Sequence, residues 1–354
     1  MPKTLSRREI LKAGTALAAT GAFATRVLAQ APAAEPVTPA LIEAAKREGK
    51  VVWYTSVDLP LAEKVAKAFE AKYAGVAVRV ERSGAERVFQ RIGQEYSSNI
   101  HAVDVVNSSD AAHLIVWKRD GILQPYVPED VAKFYPVEHK DADGQFASFR
   151  VWLSVIGYNT TLVKAEDAPK SFADLLDPKW VGKIVKAHPG YSGTIMTATY
   201  QMQRDLGWGF FEKLAKQRIM QVQSSADPPK KLALGERAVM ADGNEYNIFQ
   251  MKENGQPVEV VYATEGSPLI IGPNAIFKAA PNPNAARLFQ SFSFSPEAQQ
   301  LIVDAGGLRS MHPSTKEKSG RAPFRDIKTM KDDAAAVEKM SDEIKAKYSK
   351  IFRV

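Results

Sequence analysis

Apolar positions along this chain alternate between two rhythms. Val51-Val52-Trp53-Tyr54 is a short β-branched and aromatic run, the pattern of a buried strand. A polar loop follows, Thr55-Ser56-Val57-Asp58-Leu59-Pro60. Leu61, Val65, Ala68 and Phe69 then recur at helical spacing, with Glu63, Lys64, Lys67 and Glu70 between them. The unit repeats twice. Val76 to Val80 is a second strand, ending at Ser83-Gly84, where a helix through Arg87, Val88, Ile92 and Tyr96 begins. Val103 to Val106 is a third, ending in Asn107-Ser108-Ser109-Asp110 before a helix from Ala111 to Lys118. Right-handed crossovers between parallel strands put all three Ser-bearing loops on one sheet edge, where α/β proteins bind ligands.

From Gln124 the texture changes, with Pro125, Pro128 and Pro136 among Tyr126, Phe134 and Tyr135, which predicts a crossover into a second lobe. Phe149 to Asn159 reads as one long strand. Ile184 to Ala187 is a strand that runs through His188-Pro189-Gly190-Tyr191-Ser192-Gly193-Thr194 into a helix over Ile195 to Leu206. Ala238 to Ala241 leads to Asp242-Gly243-Asn244-Glu245-Tyr246 and another helix, and Val258 to Tyr262 returns to the first lobe. Two amphipathic helices, Asn284 to Phe294 and Pro296 to Asp304, and a charged tail helix from Asp332 to Tyr348 complete the chain.

Composition is that of a globular protein: 354 residues, 45% hydrophobic and 25% charged. The N-terminus changes the picture. Ser6-Arg7-Arg8-Glu9-Ile10-Leu11-Lys12, a weakly apolar run from Ala13 to Ala24, and Arg26-Val27-Leu28-Ala29 together predict a twin-arginine export signal over residues 1–29. That leader holds Lys3, Arg7, Arg8, Lys12 and Arg26 against Glu9, a net of +4 out of the formal +7, so +3 remains and a nucleic-acid partner is not expected. The chain has no cysteine, hence no disulfide, thiolate metal site or cysteine nucleophile.

Several stretches together resemble extracellular solute-binding proteins of ABC importers, the group called iron(III)-binding or type II periplasmic binding proteins. They are Val51 to Ser56, Ile156-Gly157-Tyr158-Asn159-Thr160, Ser171-Phe172-Ala173-Asp174-Leu175-Leu176-Asp177-Pro178-Lys179-Trp180, Glu265-Gly266-Ser267-Pro268, and the helix pair at Ala285–Phe289 and Ser295–Gln299. The resemblance implies a two-lobe α/β fold, each lobe a mainly parallel sheet flanked by helices, with a two-stranded hinge near 103–107 and 259–264. The expected N-terminal lobe takes residues 36–106 and 264–312, and the C-terminal lobe takes 122–262 and 313–354. It further implies a periplasmic monomer that captures a small-molecule ligand by lobe closure and docks on a membrane permease, with no cofactor and no enzymatic activity. Ferric members of the family use two adjacent tyrosines; the matching Asn244-Glu245-Tyr246-Asn247 offers one.

Candidate ligand-binding residues follow from loops that open helices, whose hydroxyls and free N–H groups suit an oxygen-rich anion: Thr55, Ser56, Asp58, Ser83, Gly84, Ser108, Ser192, Gly193 and Thr194. Arg87 and Arg309 are candidate charge partners. Trp152, Tyr191, Glu245 and Tyr246 are candidate walls or contacts. The expected ligand is a phosphonate, phosphate ester or carboxylate. Ferric iron held by Tyr246, Asp58 and Glu245 is the alternative, since hard Fe³⁺ prefers anionic oxygens. A periplasmic hydrolase is a third: Gly190-Tyr191-Ser192-Gly193 is followed by Thr194 where a nucleophile elbow needs glycine, and the five histidines show no zinc spacing.

Overall fold

The computed structural model describes residues 31–354; the leader predicted over 1–29 lies outside the described residues. Helix α1 (Pro39–Glu48) is capped by Thr38 and ends at Gly49, whose φ of 75° needs a residue without a Cβ. The predicted strand–loop–helix units follow: β1 (Lys50–Thr55) with α2 (Leu59–Lys72), β2 (Ala77–Arg82) with α3 (Ala85–Ser97), and β3 (Val105–Asn107) with α4 (Ala111–Arg119). Strand β1 lies between β2 and β3, parallel to both, so the three loops share one edge as expected.

After β4 (Leu123–Gln124) and α5 (Glu129–Phe134), the chain departs from expectation. The single strand predicted over 149–159 is two strands in different sheets, β5 (Phe146–Leu153) and β6 (Ile156–Asn159). The break has a hydrogen-bonding cause. Ser154 N–H donates to the carbonyl of Pro268, whereas Val155 N–H donates to that of Gly243 in the other lobe, at 3.0 and 2.9 Å. Residues 154–155 are thus a crossing between lobes, and 103–107, the expected hinge segment, is interior to the first sheet.

The second sheet has the order β10-β6-β9-β7-β8. Its elements in chain order are β7 (Ile184–Ala187), α6 (Gly193–Leu206), α7 (Trp208–Ala215), β8 (Met220–Val222), α8 (Asp227–Ala233), β9 (Val239–Met240), α9 (Glu245–Glu253) and β10 (Val258–Val261). The chain then recrosses into β11 (Ser267–Phe277), followed by α10 (Pro283–Ser293), α11 (Pro296–Gly306), β12 (Thr329–Met330) and α12 (Ala334–Phe352). Strand β11 organises the first sheet. It pairs antiparallel with β3, β4 and β5 and parallel with β12. No apolar alternation announces it, because Pro268, Gly272 and Pro273 interrupt the run; the register shifts at Gly272/Pro273, the kind of irregularity that tolerates a proline within a sheet.

Aromatic rings fill the first lobe. Trp53 packs on Phe149 and Phe289, and Phe69 on Phe289 and Phe292, at centroid distances of 5.2–6.2 Å. Beneath the second sheet, Lys186 of β7 and Asp242 form an ion pair at 2.6 Å with both side chains out of water, and the ammonium lies 4.9 Å from the ring of Tyr348 on α12. Burial pushes the lysine down and the aspartic acid up, while each partner's charge opposes that drift. Removing one partner strands the other charge. Asp242→Ala is therefore expected to cost about 3–5 kcal/mol in urea unfolding, with Lys186→Met/Asp242→Leu recovering most of it. A single-mutant cost near zero would contradict this.

Candidate ligand-binding cleft

A cleft of about 430 Å³ opens where the carboxyl ends of β1, β2, β3, β7, β8 and β9 face each other across the two sheets. Five helices present their N-termini to it, α8 among them through its N-cap residue Ala226. The N-cap residues Asp58 of α2, Gly84 of α3, Ser192 of α6 and Asn244 of α9 all line the cleft, and none makes a side-chain capping bond. Each terminus leaves unpaired N–H groups and about half a positive charge facing the cleft. Three arginines line it too: Arg82, Arg87 and Arg150.

Arg150 is the centre of the cleft. It is 2% exposed, yet among the described residues no carboxylate lies within ion-pair distance of it. Its guanidinium donates to Asn107 Oδ1 at 3.1 Å and to Ser56 Oγ at 2.9 Å, and lies 4.5 Å over the ring of Trp152. Asn107 is itself fixed by donating to the carbonyls of Gly272 and Pro273. Gly272 supplies the room: a Cβ there would lie 2.8 Å from Arg150 Cγ and 3.0 Å from the Trp152 ring. A network then runs across the lobes. Trp152 Nε1 donates to Asn244 Oδ1 at 3.2 Å, and Asn244 Nδ2 donates to the Tyr246 hydroxyl at 3.0 Å. Burial pushes Arg150 below its ordinary value, and Tyr246 and Asp58 hold it up.

Eight of the predicted residues line the cleft besides Tyr246: Ser56, Asp58, Gly84, Arg87, Trp152, Tyr191, Ser192 and Thr194. Others stand elsewhere. Thr55 is buried and accepts from Val57 N–H, shaping the loop. Ser83 precedes the lining residue Gly84 without lining the cleft itself. Ser108 is buried against His113 and the N–H of Asp110, and its neighbour Ser109 takes the lining position. Gly193 is a closure contact: a Cβ there would lie 2.6 Å from Asp110 Cβ of the opposite lobe. Glu245 and Arg309 are corrected outright. They hold each other through two hydrogen bonds at 2.6 and 3.1 Å, both buried, with the Tyr262 hydroxyl donating to Glu245 as well. Their charges are spent on one another, so neither serves the cleft. Arg82, Arg150 and the Gln223–Asp227 turn were missed; a lone arginine inside the apolar run 149–156 was the signal for Arg150.

The withdrawal of Glu245 leaves Asp58 and Tyr246 of the three residues expected to hold a metal. Burial, and then the charge of Asp58, push the Tyr246 phenol well above the usual tyrosine value, so it is a neutral hydroxyl at physiological pH. The group with metal-ligand spacing among the described residues is a different one, Glu86, Asp110 and His113. It is internally satisfied. Asp110 caps α4 through Ala112 N–H, His113 bonds Ser108 and Glu86, and Lys345 neutralises Glu86 at 3.6 Å.

The sequence profile of the bacterial extracellular solute-binding protein family matches residues 103–329. Among solved structures, the chain is similar to the periplasmic binding protein AfuA of Actinobacillus pleuropneumoniae with fructose-6-phosphate bound. The two share 25% identity and a TM-score of 0.79, over 86% of this chain and 99% of that one. It is also similar in fold to iron-bound HitA of Pseudomonas aeruginosa, with 22% identity and a TM-score of 0.75, over 85% and 99%. Iron uptake protein A1 of Synechocystis is 24% identical over 317 residues, 86% of each chain. Among the described residues, no helix is long and apolar enough to cross a membrane.

A neutral Tyr246 has a spectroscopic consequence. Between pH 7 and 11, the tyrosinate absorbance of Tyr246→Phe is expected to match that of wild type, because the missing phenol does not ionise in that range. Loss of one tyrosine's share of the absorbance would contradict the assignment.

Proposed function

The chain belongs to the bacterial extracellular solute-binding proteins, and on that premise we propose that it captures a phosphate-bearing organic anion and delivers it to an ABC importer. Arg150 carries this reading. A buried guanidinium with no carboxylate costs several kcal/mol in desolvation, and an oxyanion between Arg150, Ser56 and the helix termini of α2, α3, α6 and α9 offsets that cost. A guanidinium grips phosphate through two parallel N–H donors, and the neutral Tyr246 hydroxyl adds a third donor from the other lobe. Beyond this pole, Gln90, Gln223, Ser224 and Tyr191 provide polar contacts for the hydroxyls of a sugar-sized body. The fructose-6-phosphate bound by AfuA is a ligand of this class.

Closure is the transport signal. The lobes exchange chain at 154–155, at 262–266 and again between β12 and α12, and the first two segments serve as the hinge. Ser56 and Asp58 come from one lobe and Ser192, Thr194 and Tyr246 from the other, so a ligand touching both sets favours the closed form. The twin-arginine leader expected over residues 1–29 supports a periplasmic location, and the proposed working form there is a monomer that docks on the permease. The hydrolase alternative is disfavoured at Ser192, its candidate nucleophile, because His188 of the same loop is already bonded to Gly190 N–H and the Ser349 hydroxyl. Ferric iron stands as a second reading on one observation: Asp58 and Tyr246 share the cleft, and iron there would need an accompanying anion on Arg150.

Thermal unfolding against hexose phosphates, phosphonates, citrate and ferric citrate separates these readings. A phosphate ester at a hundredfold excess over its dissociation constant stabilises by about 2.7 kcal/mol. Arg150→Met is expected to abolish that shift, weakening binding by about 2–5 kcal/mol, while leaving the ligand-free midpoint unchanged or higher because a buried charge is gone. A shift with ferric citrate and none with any phosphate ester or with citrate alone, lost in Tyr246→Phe, would overturn the anion reading in favour of iron.

A further inference from the structure

Asn244, Asn247 and Gln250 recur every third residue at the start of α9 and so share one face of it. Their amides form a chain of hydrogen bonds. Asn244 Nδ2 donates to Asn247 Oδ1 at 2.9 Å, Asn247 Nδ2 to Gln250 Oε1 at 3.2 Å, and Gln250 Nε2 to the Gly306 carbonyl at 2.9 Å. Both ends of the chain meet groups of fixed polarity. The Gly306 carbonyl can only accept, and the Trp152 indole N–H, 3.2 Å from Asn244 Oδ1, can only donate. Both anchors belong to the first lobe: Trp152 lies on β5, and Gly306 ends α11, where it packs against Leu61 of α2. The orientation of each amide therefore follows from either end, and the two ends agree. Asn244 must turn its oxygen to Trp152 and its NH₂ group to Tyr246 and Asn247. This use of the side chain also explains why Asn244, an N-cap residue of a preferred type, makes no capping bond to α9.

The consequence falls on Tyr246. Its hydroxyl oxygen lies 3.0 Å from Asn244 Nδ2 and has to accept there, so its own proton is turned away from Asn244. The acceptor on its other side is Asp58, which hydrogen-bonds with it beside the Arg150 guanidinium. We propose that Asn244 is a positioning residue for ligand binding: the amide chain on α9 locks Tyr246 as a one-way donor into the cleft. This rests on the anion reading above. A phenol left to itself donates or accepts with equal ease. Fixed in this way, it meets a ligand oxygen without reorganising and has no lone pair aimed at a ligand N–H or O–H. Because both anchors lie in the first lobe and Tyr246 in the second, the lobe junction itself sets the polarity of this wall. A carboxylate at position 244 would keep the bond from Trp152 but bring no hydrogen to Tyr246. It would take the phenol proton instead, and Tyr246 would then present lone pairs to the ligand.

Titration calorimetry at about pH 8 with a hexose 6-phosphate, on the mature wild type, Tyr246→Phe, Asn244→Asp and the double variant, tests this. At the start of α9 and against an indole N–H, the new carboxyl is ionised at that pH. Tyr246→Phe and Asn244→Asp are each expected to weaken binding at least about tenfold. In the Tyr246→Phe background, Asn244→Asp should cost at least about threefold less than in wild type, because no phenol remains to be turned. Repulsion between the new charge and the ester is common to both backgrounds and cancels. Neutron diffraction from wild-type crystals in heavy water reads the same polarity whether or not the variants fold. The expected result is deuterons on the Asn244 atom that faces Tyr246, with the Tyr246 deuteron pointing away from Asn244. An Asn244 oxygen facing Tyr246, or an Asn244→Asp cost that is nil or equal in both backgrounds, overturns the inference and leaves the anion reading intact. Failure of wild type to bind the ester, with Arg150→Met indistinguishable from it, overturns both.

Discussion

A buried arginine without an acid is the constraint on which the rest of the cleft depends. Arg150 enters from β5, a strand inside the first sheet, and so cannot retreat to water as a surface arginine would. Everything near it accommodates that charge without cancelling it. Gly272 leaves space for the side chain, Asn107 and Ser56 accept from its donors, and Trp152 covers one face. Neutral acceptors and a ring stabilise a guanidinium while preserving its net charge. The fold thereby keeps a cation in reserve at the junction of the lobes.

That junction is where the architecture concentrates further positive potential. Parallel strands end on the cleft side in both sheets, so the helices that follow them start there, and their unpaired N–H groups point inward. The carboxylates that also reach the cleft are individually managed: Glu86 by His113 and Lys345, Asp227 by Ser224 N–H, and Asp58 at the edge of Arg82. The large buried acid of the region, Glu245, is removed from play by Arg309. What remains is a cleft of near-balanced formal charge whose free valence is cationic. Gly193, packed against Asp110 of the opposite lobe, sets how closely the two halves approach.

The sequence discloses the scaffold better than the chemistry. Three strand–loop–helix units are legible because strand and helix leave different apolar periods, and the loops between them therefore lie on one sheet edge. Strand β11 is illegible because Pro268, Gly272 and Pro273 break its alternation, though it is the strand that holds the first sheet together. The division of 149–159 is equally hidden: Ser154 and Val155 look like strand interior, and only their hydrogen-bond partners in different lobes separate them. Among site residues, those on helix-opening loops were accessible by their residue type. Ser108 and Ser109 differ by one position, and side-chain alternation decided which faced the cleft. Arg309 resembled a ligand-gripping arginine, but its partner Glu245 lies 64 residues away in the chain and could be found only by folding. Arg150 was visible as a charge in an apolar strand, a feature whose meaning depends on whether the fold supplies a carboxylate beside it. This fold supplies none within ion-pair reach among the described residues.

The most direct test of this account is a crystal structure of the protein grown with a hexose 6-phosphate. The expected result is a closed form with the phosphate on Arg150 and Ser56, one phosphate oxygen meeting the Tyr246 hydroxyl, and the sugar body toward Gln90 and Gln223. A ligand bound away from Arg150, or a metal ion on Asp58 and Tyr246 with no anion on that guanidinium, would contradict it.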